Sequence, residues 1–136
     1  MKNIAINPED YTILAVDDIA TNIMLLKAVL SRAKYKIVTA SGGNEALEKA
    51  ATELPDLILL DIMMPDMDGF DVLSRMSAQG WLEDIPVVMI SSEDSSQTVR
   101  RAYELGASDY ISRPFDARIV HRRVSNVARL YARQRR

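Results

Sequence analysis

Cysteine is missing from this 136-residue chain, which removes disulfides, thiolate nucleophiles and cysteine-ligated zinc together and fits a reducing compartment. Histidine occurs once, at His121, among arginines, and reads as a surface residue, neither a metal ligand nor a phosphoacceptor. Long apolar runs are also lacking: none approaches the roughly 20 residues of a membrane span. The opening Met1 to Asp10 has no apolar stretch of signal-peptide length. A cytoplasmic protein that does not engage a membrane is the expectation. What the chain does have is 48% hydrophobic residues, enough for one domain with a real core and too few residues for two.

The net charge of −2 conceals an asymmetry. Residues 113–136 hold eight arginines against Asp116, a balance of +7, which leaves −9 on residues 1–112. Short apolar runs alternate with longer stretches of helical period, the pattern of a parallel sheet covered by helices. The runs place strands near 11–16, 36–40, 57–61, 86–91 and 108–112, and helices near 20–33, 43–53, 69–77, 96–105 and 116–131. The expected fold class is α/β with a (βα)5 count. Asp68 and Ser95 read as N-caps, Gly106 as the residue just beyond a helix end, and Pro86 as the start of a strand that tolerates a missing N–H. No internal repeat is evident.

Three aspartates bear the chemistry. Asp17 and Asp18 follow the first apolar run, and Asp61 closes Leu57-Ile58-Leu59-Leu60. If these strands lie side by side and parallel, all three carboxylates meet at the carboxyl edge of the sheet, where open α/β folds bind ligands. Crowded carboxylates repel unless they hold a cation or some protonate. Mg2+ suits them, because it takes oxygen ligands and keeps positions for water or a phosphoryl oxygen. Ser91 and Ser92 end the fourth strand and Arg113 ends the fifth, so hydroxyls and a cation reach the same edge. Asp17, Asp18 and Tyr110 also have plainer readings. Asp17 and Asp18 could be ordinary capping acids before a helix, and Tyr110 could be simple strand packing.

The segment Asp61-Ile62-Met63-Met64-Pro65-Asp66-Met67-Asp68-Gly69 closely resembles the phosphoacceptor loop of two-component response regulator receiver domains. Asp17-Asp18, Val87-Val88-Met89-Ile90-Ser91-Ser92 and Gly106 to Phe115 match other parts of that family in order, and the resemblance covers about residues 10–131. It implies a flavodoxin-like sheet of order 2-1-3-4-5, preceded by an arm at 1–9 and followed at 132–136 by a basic tail or the start of a linker helix. By the same resemblance Asp61 accepts a phosphoryl group from a phosphohistidine on a sensor histidine kinase or phosphotransfer protein. Asp18, Asp61 and the Met63 carbonyl would ligate Mg2+, with Asp17 acting through water. Ser91 would donate to the phosphoryl group, and Tyr110 would rotate between exposed and buried positions, altering the face of the fourth helix, fifth strand and fifth helix. Met63 and Glu93 occupy positions that tune hydrolysis, Pro65 and Gly69 shape the loop, and Pro114 resembles the proline that follows a cis bond. Such a protein signals; it is not an enzyme acting on outside substrates, though it assists phosphoryl transfer to its own aspartate and its hydrolysis.

Arg113 departs from the family, which has lysine there. A guanidinium is a planar fork that prefers bidentate partners, so the exchange is not conservative. Arg113 could pair with phosphoryl oxygens or bridge the aspartates in place of the metal. The second possibility keeps open a pseudo-receiver, an interaction module that is not phosphorylated. A phosphatase of the haloacid dehalogenase type needs a second acid two residues after the nucleophile, where this chain has Met63. The Met63-Met64 and Met67 cluster reads as loop packing. In the last helix Val120, Val124, Val127 and Tyr131 form a stripe to pack on the sheet, while Arg118, Arg122, Arg129 and Arg133 face elsewhere, most simply toward water. No nucleic-acid recognition motif accompanies the arginines, so direct nucleic-acid binding is not expected. The expected partners are instead an output domain on a longer chain and a second copy, docked through the output face with arginines near acids such as Asp109.

Overall fold

Each central strand is apolar on both faces, and the reason is visible in how its residues divide. The computed structural model describes the backbone of residues 7–134 and the side chains of residues 7–131. Most of the expected arm at 1–9, the Arg133 side chain and Arg135 and Arg136 lie outside those residues. Five parallel strands, β1 (Thr12–Val16), β2 (Lys36–Ala40), β3 (Leu57–Asp61), β4 (Val87–Ser91) and β5 (Asp109–Ser112), form one sheet in the order β2-β1-β3-β4-β5. Five helices connect and follow them: α1 (Ala20–Arg32), α2 (Gly43–Glu53), α3 (Gly69–Ala78), α4 (Ser96–Glu104) and α5 (Ala117–Gln134). The flavodoxin-like order expected above is the one found.

Because successive strand residues point to opposite faces, every strand feeds two cores. Leu14, Val16, Ile58, Leu60, Val87 and Met89 pack with Ala46 and Ala50 of α2, Val72, Leu73 and Met76 of α3, and Ala102 of α4. Ile13, Ala15, Leu57, Leu59, Val88, Ile90 and Ile111 pack on the other side with Leu26 and Leu30 of α1 and Val120, Val124, Val127 and Ala128 of α5. Helices cover both faces, so the strands read as unbroken apolar runs. In α5 the expected valine stripe is buried while Arg118, Arg122, Arg129 and His121 are exposed. Tyr131 is half-buried against the α1–α5 core.

Helix ends follow local chemistry. The Asp68 carboxylate accepts from the Asp71 amide, and the Ser95 hydroxyl oxygen accepts from Thr98, so both expected caps are present. Gly106, just beyond α4, has φ +109°, a conformation that favours glycine. Two short 3-10 turns, Pro8–Asp10 and Trp81–Glu83, have no periodic signal and fall where only loop was expected. β4 and β5 each begin one residue later than expected: Pro86 only lends its carbonyl to Ile58, and Ser108 donates to the Val87 carbonyl from outside the ladder. The helix α5 starts at Ala117, with Asp116 accepting from the Arg118 amide before it, and its backbone runs on through Gln134.

Candidate phosphoacceptor site

Register brings the acids together. Val16 of β1 lies opposite Leu60 of β3, so the next residues on each strand, Asp17 and Asp61, emerge side by side. Asp61 is aligned with Ile90 and Ser91 with Ser112, which puts Ser91 one step and Arg113 two steps further along the same edge. The edge lies where the chain turns from β1 to β2 on one side and to β3 on the other, the crevice at which such sheets bind ligands. Asp17, Asp61 and Ser91 are the buried polar side chains among the described residues, and Asp18 beside them is exposed. All the sites predicted from the sequence converge here except Tyr110 and Glu93, which connect to it through Ser91.

One carboxylate oxygen from each of Asp17, Asp18 and Asp61 lies within 4.8 Å of the other two. Two oxygens on opposite sides of Mg2+ stand about 4 Å apart, given bonds of roughly 2.1 Å. An all-oxygen, carboxylate-rich cluster of that size fits Mg2+ in donor type and spacing. Met63, whose carbonyl is the further expected ligand, follows on the same loop with its side chain exposed. Burial, followed by the nearby charge of Asp17, pushes the Asp61 carboxyl up to about 6, against the opposing pull of Arg113.

Arg113 reaches across the acids. Its Nη2 lies 2.5 Å from Asp17 Oδ2 and its Nη1 lies 3.2 Å from Asp61 Oδ1. The bridging arrangement, one of two possibilities raised by the sequence, is the one present. Asp17 serves a second purpose as well, its Oδ1 accepting from the Ile19 amide at 2.9 Å. Neither acid is the cap of α1, which is Ile19, without a side-chain cap.

Ser91 Oγ accepts from the Glu93 amide at 3.0 Å, and the Glu93 carbonyl accepts from the Tyr110 hydroxyl. Tyr110 is buried, and burial raises its phenol above the usual range. The acceptor edge and the aromatic are thereby linked through one loop. At the end of β5, the Arg113–Pro114 bond is cis.

Gly69 is required by contact. A Cβ there would stand 2.4 Å from the Asp61 carbonyl oxygen and 2.8 Å from Ile62 Cα, so α3 can start directly beneath the acceptor loop only with glycine. Phe70, next in sequence, lies under the Arg101 guanidinium of α4, 4.3 Å from the ring centroid.

One residue of the loop escaped the sequence reading. Asp66 accepts from the Gly43 and Asn44 amides at 3.1 Å and from the Asn44 side chain at 3.2 Å. Those hydrogen bonds hold its carboxyl below the usual range, the Asn44 amide first. The only sequence hint was a helix start at Ser41-Gly42-Gly43 with no capping side chain of its own: Gly42 is the N-cap and makes no side-chain bond. A carboxylate from the acceptor loop supplies what α2 lacks.

Comparison with known proteins agrees with this geometry. The profile of the response regulator receiver domain matches residues 13–125. The chain belongs to the response regulator receiver domain family. It is 42% identical over 117 residues to the alkaline phosphatase synthesis transcriptional regulatory protein PhoP of Bacillus subtilis, covering 86% of this chain and 48% of PhoP. It is 43% identical to the response regulator PleD of Caulobacter vibrioides, covering 86% of this chain and 26% of PleD. The receiver therefore spans half or less of these relatives' lengths. The BeF3-activated N-terminal receiver domain of Klebsiella pneumoniae RstA superposes with a TM-score of 0.81 at 33% identity, covering 87% and 98% of the two chains. The CheY of Borrelia burgdorferi, in a CheX-CheY-BeF3-Mg2+ complex, gives 0.80 at 32% identity, covering 86% and 88%. As a two-component receiver domain, the protein is a signalling module with an acidic pocket. No helix among the described residues is long and apolar enough to cross a membrane.

Proposed function

We propose that Asp61 accepts a phosphoryl group from the phosphohistidine of a sensor histidine kinase or histidine phosphotransfer protein, and that the change is read at the α4–β5–α5 face. The observation that bears this reading is the buried Asp61 carboxylate at the end of β3, beside Asp17, Asp18, Ser91 and Arg113. With its carboxyl near 6, Asp61 is mostly ionised at pH 7.5 and is the nucleophile. Its oxygen forms the new O–P bond as the P–N bond of the donor breaks and the electron pair leaves with the imidazole. Asp18, Asp61 and the Met63 carbonyl would hold Mg2+, with Asp17 contributing through water. There the ion would neutralise the carboxylates and the equatorial phosphoryl oxygens. The Borrelia relative bound with BeF3 and Mg2+ supports the assignment.

Ser91 then turns its hydroxyl hydrogen toward the new phosphoryl oxygen while its oxygen still accepts from Glu93. A shift of the Glu93 segment is passed to the Tyr110 hydroxyl that donates to its carbonyl. Met63 and Glu93 flank the acceptor and set how readily water reaches it. The response ends on a face where Asp109 is held by Arg123 at 2.8 Å and by the Tyr103 hydroxyl at 3.2 Å. Exchange of the Asp109–Arg123 pair between two copies is the contact a homodimer would use, and the solution mass on activation tests it. The receiver unit spans residues 10–131, works in the cytoplasm, and acts on an output domain of a longer chain.

The pseudo-receiver reading rests on Arg113 alone and is opposed by the intact, converging Asp17, Asp18, Asp61 and Ser91. Intact mass after incubation with acetyl phosphate tests the proposal. One added phosphoryl group that requires both Mg2+ and Asp61 supports it, and an unchanged mass, or a gain that persists in Asp61→Asn, contradicts it.

A further inference from the structure

Arg113 engages two buried carboxylates at once, and both belong to the cluster that fits a divalent cation. Its side chain is only 17% exposed. Asp17 has one oxygen committed to the Ile19 amide and the other to Arg113 Nη2 at 2.5 Å. An ion bonded at roughly 2.1 Å, or its ordered water, must take the oxygen position against which that nitrogen lies. Formal charge alone would let both cations stay. The shared oxygens do not.

The bridge is also incomplete. Arg113 Nε is buried and has no hydrogen-bond partner among the described residues. A guanidinium has five N–H donors, and a buried donor left unmade is costly. The arginine therefore sits in the acidic site with part of its hydrogen-bonding capacity unmet, which lowers the cost of leaving. It has somewhere to go: Arg113 lines a groove of about 380 Å3 with Asn22, Leu25, Ser92, Pro114 and Phe115. That groove lies between α1 and the loops that follow β4 and β5.

We infer that Arg113 is a resident competitor for the metal: guanidinium and divalent cation are alternative occupants of the Asp17–Asp61 site, and metal entry displaces the arginine into the adjoining groove. The inference rests on the metal role proposed above. It adds that the concentration of Mg2+ needed to arm the site is set by this side chain, and that the groove beside α1 gains a positive charge only when the site is loaded. Lysine at 113 would keep a charge yet lack the planar fork that holds two carboxylates together. Methionine would keep apolar bulk and remove the competitor.

Calorimetric titration of the unphosphorylated protein with MgCl2 alone tests this, using the native chain, Arg113→Lys, Arg113→Met and Asp61→Asn. Removing a charge-assisted bridge is worth about tenfold or more in affinity, so Arg113→Met binds Mg2+ at least about tenfold tighter than the native chain and Arg113→Lys falls between. In the native protein the Arg113 Nε–Hε resonance, assigned by its loss in Arg113→Lys, moves and exchanges faster with water as Mg2+ is added. Equal or weaker Mg2+ binding in the arginine variants, with the resonance unmoved, overturns the inference and leaves the metal role standing. No Mg2+ binding in any of the proteins overturns the metal role, and this inference with it. If Arg113→Met fails to fold by near-ultraviolet circular dichroism, the lysine variant and the resonance decide.

Discussion

Replacing Asp61 with asparagine should make the metal-free protein more stable at neutral pH, although it removes the proposed phosphoacceptor. Asp61 is 5% exposed beside Asp17, which is 1% exposed, and its carboxyl is raised from 3.8 to about 6, chiefly by burial and then by the Asp17 charge. A folded-state value above the unfolded one means that the folded protein binds the proton more tightly between pH 4 and 6. The associated stability is fully present below about 4 and is lost as pH rises through about 6. The displacement corresponds to roughly 3 kcal/mol by pH 7.5. Asparagine avoids that loss and still offers an oxygen to Arg113 Nη1; the value of about 6 is already net of the pull of Arg113, so the charged contact is not subtracted again. The net expectation for Asp61→Asn is a gain of roughly 3 kcal/mol at pH 7.5 in EDTA, shrinking toward zero near pH 4. Urea unfolding at both pH values measures it, and added Mg2+ should narrow the difference at pH 7.5 by stabilising only the native chain. An asparagine variant no more stable than the native chain at pH 7.5, or a difference that does not change with pH, would refute the reasoning.

Four other substitutions probe separate links. Gly69→Ala forces a methyl to 2.4 Å from the Asp61 carbonyl, and a loss of at least about 3 kcal/mol in urea unfolding is expected, well beyond the roughly 1 kcal/mol typical of point changes. Asp66→Ala uncaps α2 from the acceptor loop, so the urea midpoint falls by less than in Gly69→Ala and amide exchange speeds up at Gly43 and Asn44. Tyr110→Phe removes the donor to the Glu93 carbonyl and costs about 1 kcal/mol, while phosphoryl uptake at Asp61 by intact mass stays near native. Ser91→Ala takes away the hydroxyl proposed to donate to the phosphoryl group and should slow uptake from acetyl phosphate by about tenfold or more, at unchanged Mg2+ affinity.

Much of the architecture was legible because its causes are local. Leu57-Ile58-Leu59-Leu60 is apolar at every position since both faces of β3 are covered, and Asp68 and Ser95 cap helices a few residues away. The convergence of Asp17, Asp18 and Asp61 was readable for a similar reason: residues that end parallel strands share an edge. What could not be read depends on partners distant in sequence. Asp66 caps a helix that starts 23 residues earlier, and nothing in Ser41-Gly42-Gly43 names the residue that completes it. Arg113 could be placed at the edge from its strand, but its choice between bridging the acids and keeping clear of them to meet phosphoryl oxygens depends on a three-dimensional spacing. The inward position of Tyr110, set by the Glu93 carbonyl, has no sequence signature. Trp81–Glu83 turns without any periodicity to announce it.

The central claim is that Asp61, and no other residue, receives the phosphoryl group. Borohydride reduction of protein exposed to acetyl phosphate and Mg2+ converts an aspartyl phosphate to homoserine, which peptide mass spectrometry can place. The account predicts homoserine at position 61 only, and only when Mg2+ and phosphodonor were both supplied. Homoserine at another aspartate, or none from protein that has gained a phosphoryl group, would contradict it.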